Sequence, residues 1–171
     1  SQRFKMTVEH PGNAGMDLYG STDGLHWRLL FSSIIGGTFA DTQPVVFYDL
    51  RRGQYLAYGR GYVHPGTEKG RPCPGSLDSF RQVVWSQSDK ANLSRWSSPE
   101  TVIGFDDLPE CVDIYNNAAI QVHNAYFLLP SELLHLKWAE SHGDDVANSG
   151  VTDIRLAVSS DGRSFQYTDG L

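Results

Sequence analysis

Three stretches decide the fold: DLYGSTDGLHW (17–27), VVWSQSDKANLSRW (83–96) and IRLAVSSDGRSF (154–165). Each runs from an apolar or alternating segment through one or two small hydroxyl residues to an Asp, a tight turn and an aromatic. This shared plan is an internal repeat, and its reference aspartates Asp23, Asp89 and Asp161 lie 66 and 72 residues apart. Asp-Gly and Asn supply the positive φ that a hairpin turn wants, and the Asp carboxylate accepts from nearby backbone amides. Trp27, Trp96 and Phe165 then open the outgoing strand and cover the hairpin.

A second unit precedes the latter two copies. PVVFYDLRRGQYLAYGR (44–60) and AAIQVHNAYFLLP (118–130) each read as strand, turn, strand, with turns at 49–53 and near His123-Asn124. Combining the units gives four strands per copy: 44–49, 54–60, 81–87 and 96–103, then 117–122, 125–129, 152–159 and 164–168. A partial copy leads, with strands at 4–9, 15–21 and 26–32. Gly- and Pro-rich 62–80 reads as a long loop. So does 131–151, whose opening SELLHLKWAESHG fits a short helix or, through Leu133, Leu134, Leu136 and Trp138, a strand.

The expected fold is therefore all-β, built of antiparallel four-stranded blade-like repeats forming part of a β-propeller. A single domain over 1–171 divides into a partial blade at 1–40 and blades at 41–103 and 113–169. A closed propeller takes about four blades or more, so three readings stand open. The chain belongs to a larger propeller, or completes itself against another chain such as a second copy, or is a sandwich-like β-domain with a duplicated hairpin. An open end leaves an edge strand and an apolar face to be covered.

Composition narrows the function. Of 171 residues, 20 are acidic and 14 basic, for a formal charge of -6. No Lys/Arg cluster exists to neutralise phosphates, which excludes a nucleic-acid binder driven by backbone contacts. No apolar run approaches the ~20 residues that cross a bilayer, and SQRFKMTVEH has no signal-peptide apolar region. Cys73 and Cys111 allow one disulfide or two thiols, and Asn92-Leu93-Ser94 fits a glycosylation sequon. Neither GxSxG nor a phosphate-binding glycine loop occurs, so serine catalysis and nucleotide cofactors have no support. The histidine spacings form no metal cluster, so no cofactor or metal is expected.

The segments TFADTQPVVFYDLRRGQYLAYGR (38–60), DIYNNAAIQVHNAYFLLPS (113–131) and GVTDIRLAVSSDGRSF (150–165) carry a resemblance. Together they resemble the five-bladed β-propellers of the glycoside hydrolase superfamily that includes invertase-like, levansucrase-like and arabinanase or xylosidase enzymes. That resemblance implies a partial five-bladed propeller with a carbohydrate site on its axis and essential carboxylates on innermost strands. It places Gln43 where the superfamily has the second-blade Asp, and Asn116 or Asn117 where it has the third-blade Glu. The first-blade nucleophile has no counterpart. Weak or absent hydrolysis of a furanosyl or pentosyl sugar is the expectation that follows.

Sugar hydrolysis needs two carboxyl groups flanking the bond, one of them protonated. Asp41 and Asp113 hold equivalent places before successive inner strands, and Glu110 is a second candidate for the acid. Tyr48, Tyr62 and Tyr115 offer rings for stacking and hydroxyls for bonding, and Tyr58 shares their placing. His64 lies in a loop able to fold over an axis. Gln43, Asn116 and Asn117 complete the candidate substrate-binding set. Each has a plainer alternative: turn-capping for the carboxylates, sheet-to-sheet packing for the rings. A non-catalytic module binding carbohydrate or protein is the competing function.

Overall fold

Short alternating segments broken by Asp-, Asn- and Gly-rich turns form antiparallel strands throughout a computed structural model. It describes residues 3–11, 15–36, 44–64, 79–89, 92–109, 111–135 and 149–168. The first sheet is β1 (Phe4–Glu9), β2 (Met16–Ser21) and β3 (Arg28–Phe31), in that order. The second runs β4 (Val45–Asp49), β5 (Gln54–Val63) and β6 (Phe80–Asp89). Its last position is shared by β7 (Asn92–Trp96) and β8 (Glu100–Ile103), both paired to β6. The third runs β9 (Val112–Val122) and β10 (Ala125–His135), then β11 (Gly150–Ile154) and β12 (Ala157–Ser159), both on β10, and β13 (Gln166–Tyr167) on β12. Among the described residues no helix is long and apolar enough to cross a membrane.

Several boundaries differ from expectation. The strand expected at 117–122 starts at Val112, because a bulge between Ser131 and Glu132 leaves Tyr115 opposite no partner and lets β9 continue through it. Its neighbour passes Pro130 and ends at His135, so Ser131–His135 is strand rather than helix or loop. Pro130 still serves the ladder as an acceptor, taking a bond from the Arg155 amide at 3.2 Å. The strand expected at 152–159 is broken at Arg155 and Leu156.

The repeated turns use their side chains as expected in two copies. Ser21 Oγ accepts from the Gly24 amide and Asp23 Oδ1 from the Leu25 and His26 amides, each at 2.9 Å. Ser159 Oγ and Asp161 Oδ1 take the amides of Gly162, Arg163 and Ser164 at 2.8 Å. In the middle copy the reference residue is Asn92 rather than Asp89. Asn92 Oδ1 accepts the Ser94 amide, and Trp96 Nε1 donates to Leu93 O at 2.8 Å as Trp27 Nε1 does to Gly24 O at 3.2 Å. Asp23, Asn92 and Asp161 are spaced by 69 and 69 residues, so the repeat is regular.

The sheets stack face to face. One buried cluster joins Met16, Leu18 and Ile35 of the first to Ala57 and Val84 of the second, with Trp96 packed on it. The larger joins Tyr58, Val83, Trp85 and Ile103 of the second to Val112, Ile114, Tyr126 and Leu128 of the third. Opposite faces of β5 and β6 serve the two seams, as the two-residue strand period requires.

Asp49, at 0% exposure, locks the second seam at its turn end. Its carboxylate accepts from the Arg51 amide (2.8 Å), Gln121 Nε2 (3.1 Å) and Tyr126 Oη (2.6 Å). Arg51 and Arg52 reach on to the carbonyls of Asn124 and Asp161. Gly162 sits under this end with φ of 69°, and a Cβ there would stand 2.9 Å from the Tyr58 hydroxyl that donates to its carbonyl.

Candidate functional site

At the opposite end of the same seam, charge is buried. The ladder Tyr62↔Arg81 in the second sheet and Leu133↔Asp113 in the third bring the end of β5, the start of β6 and the start of β9 together. Asp113 is 1% exposed, yet both its oxygens are engaged. Oδ2 accepts from the Arg81 amide at 3.2 Å and lies 3.4 Å from Arg81 Nη1, while Oδ1 lies 3.2 Å from His135 Nε2. Removing such a carboxylate would take this counter-charge from a buried guanidinium. Asp113 therefore holds three strand ends in register.

Around this pair stand the aromatic candidates. The Tyr115 ring, 41% exposed, has the Arg81 guanidinium 5.3 Å and the Arg60 guanidinium 5.9 Å from its centre. Arg60 also donates from Nη1 to Tyr115 O at 3.0 Å and lies 5.4 Å from the Tyr62 ring. Cation–ring contacts of this kind fix ring orientation and contribute about 0.5–2 kcal/mol each. Asn116 Oδ1 accepts the Asn117 amide at 2.8 Å. Asn117 is 5% exposed, and its own Oδ1 and Nδ2 are buried with no hydrogen-bond partner among the described residues. A buried amide left unsatisfied costs roughly 1–3 kcal/mol.

The backbone is strained here, as it is at Ser33 and His123 elsewhere in the fold. Cys111, buried immediately before β9, has φ of 60°, and its carbonyl accepts the His135 amide at 2.9 Å. A non-glycine residue there stores of order 1–3 kcal/mol.

Of the residues singled out from the sequence, Tyr62, Asp113, Tyr115, Asn116 and Asn117 meet here, and exposed His64 follows β5 at this end. Asp41, Gln43 and Glu110 lie outside the described residues, as do Cys73 and His142. Tyr48 belongs elsewhere. It pairs with Tyr55, roughly 20 Å along β5 from Tyr62, and lines a separate cleft of about 260 Å³ between the first two sheets with Lys5, Phe47 and Trp96. Tyr58 is core, 1% exposed.

Sequence reasoning missed Arg60, Arg81 and His135 as members of the cluster. Isolated basic residues on strands carry no motif, and only the stacking of the second sheet on the third brings Arg81 to Asp113. Among the described residues no three His, Cys, Asp or Glu side chains group closely enough to hold a metal ion. The chain matches no protein-family model and no curated protein.

Proposed function

We propose that this protein is a glycoside-hydrolase-like, propeller-type β-domain that recognises a furanosyl or pentosyl carbohydrate with weak or no turnover. The site is the charged end of the seam between the second and third sheets. The observation that carries the reading is Tyr115, an exposed ring with two guanidiniums over it, two residues before Asn117 on β9. A ring takes the apolar face of a sugar, and an amide offers two N–H donors and a carbonyl acceptor to hydroxyls. Asp113 is a positioning residue in this reading, since its oxygens are spent on Arg81 and His135. The proton-donor role then falls to Glu110, next to the strained Cys111, with Asp41 as the second carboxylate.

The test is calorimetry with arabinofuranosyl, fructofuranosyl and xylosyl oligosaccharides, run beside a turnover assay. Tyr115→Ala is expected to weaken binding by about tenfold, or ~1.4 kcal/mol. Turnover is expected at or near the uncatalysed rate for the wild type and for Glu110→Gln alike. Unchanged affinity in Tyr115→Ala contradicts the site. Rapid hydrolysis lost in Glu110→Gln contradicts the weak-turnover reading while keeping the site.

A further inference from the structure

The regular repeat assigns each sheet two different faces. Met16, Trp85 and Ile154 share one repeat position, 69 residues apart in each step. Met16 packs forward into the seam with the second sheet and Trp85 forward into the seam with the third, both 1% exposed. Ile154 points the same way from the third sheet and is 64% exposed. Its neighbours Ile120, Leu129 and Leu156 are exposed too.

The backward faces obey the same rule. Trp96 packs back on the cluster of the first seam and Phe165 back on that of the second. Trp27, their counterpart in the first sheet, is exposed, and so are Met6 and Leu29, which flank Tyr19 on one face of that sheet. The two free faces thus consist of the repeat positions that mate inside the molecule: the forward face of the third sheet and the backward face of the first.

We propose that a second copy of this chain covers them, the third sheet of one molecule packing on the first sheet of the next as each internal seam does. Such a contact is head-to-tail, so it closes into a ring of two or more copies or extends. The continuity of these faces with the internal seams calls for an occupant that carries this repeat's own faces, and a second copy supplies both at once. The inference is independent of sugar binding.

Two exposed substitutions test it, because each kills one face and leaves the fold alone. Ile154→Lys blocks the forward face and Leu29→Lys the backward face. Light scattering across a dilution series should show the wild type above the 19.0 kDa chain mass and each variant at that mass. An equimolar mixture of the two variants should give a species of twice that mass and nothing larger, since one good face of each kind remains. Circular dichroism on each variant confirms that it is folded. A wild type at single-chain mass at every concentration overturns the proposal. So does association that neither substitution weakens, or a mixture that stays at single-chain mass.

Discussion

Asp49→Ala is expected to lower stability by about 3–5 kcal/mol, the range for removing one partner of a buried charged network. The carboxylate is fully buried and binds the two turn amides, Gln121 and Tyr126, so its loss leaves donors of two sheets unsatisfied together. A protein with total stability of about 5–15 kcal/mol keeps little after that. Asp49→Asn retains one acceptor oxygen and should cost less than half as much.

The same residue sets an acid response. Burial acts to raise the Asp49 pKa, but hydrogen bonds from Tyr126, the Arg52 and Arg51 amides and Gln121 outweigh it and hold the carboxyl below the usual range. A depressed folded-state pKa contributes stability that is complete above the unfolded value near ~3.9 and lost as pH falls through the folded value. Urea midpoints measured from pH 6 downward (about the middle of the ordinary stability plateau) should fall at acid pH in the wild type. The fall should be shallower in Asp49→Asn.

The second large effect is expected at Trp85, where substitution by Ala should cost about 3–5 kcal/mol by emptying the centre of the larger core. Trp85 is 1% exposed on β6, and the Arg163 guanidinium lies 4.6 Å from its ring. Its Nε1–H is buried without a hydrogen-bond partner among the described residues, so Trp85→Phe removes an unsatisfied donor along with area and should cost well under half as much. Trp27→Ala is the control. At 37% exposure on a free sheet face, it should cost about 1 kcal/mol or less in dilute protein. Equal losses at Trp85 and Trp27 in urea unfolding would contradict the assignment of seams and free faces.

Much of this architecture is legible in the sequence because turn chemistry is local. Ser21-Thr22-Asp23-Gly24 and Ser159-Ser160-Asp161-Gly162 announce their hairpins, and β1 falls on the 4–9 expected from alternation alone. The middle copy misled because Asn92 does the work of an aspartate, while Asp89 follows a small hydroxyl residue as Asp23 and Asp161 do but is still the last residue of β6. Pro130 read as a strand end, since it lacks an amide. Its carbonyl still accepts, so β10 continues to His135 and carries that side chain to Asp113. The bulge at Tyr115 likewise breaks the period that pattern reading relies on. Asp113, Tyr115, Asn116 and Asn117 were visible as polar residues at the start of an inner strand. Their basic partners were not, because Arg60 and Arg81 come from a different repeat and meet β9 only after the sheets stack.

The most direct test of the carbohydrate site is amide chemical-shift mapping of the folded chain during titration with the oligosaccharide that binds best. Shifts are expected to concentrate at Arg60, Tyr62, Arg81 and Tyr115–Asn117, with Tyr48, Tyr55 and the Asp49 turn unmoved. Shifts confined to the Tyr48–Tyr55 cleft, or none at saturating sugar, would contradict the account.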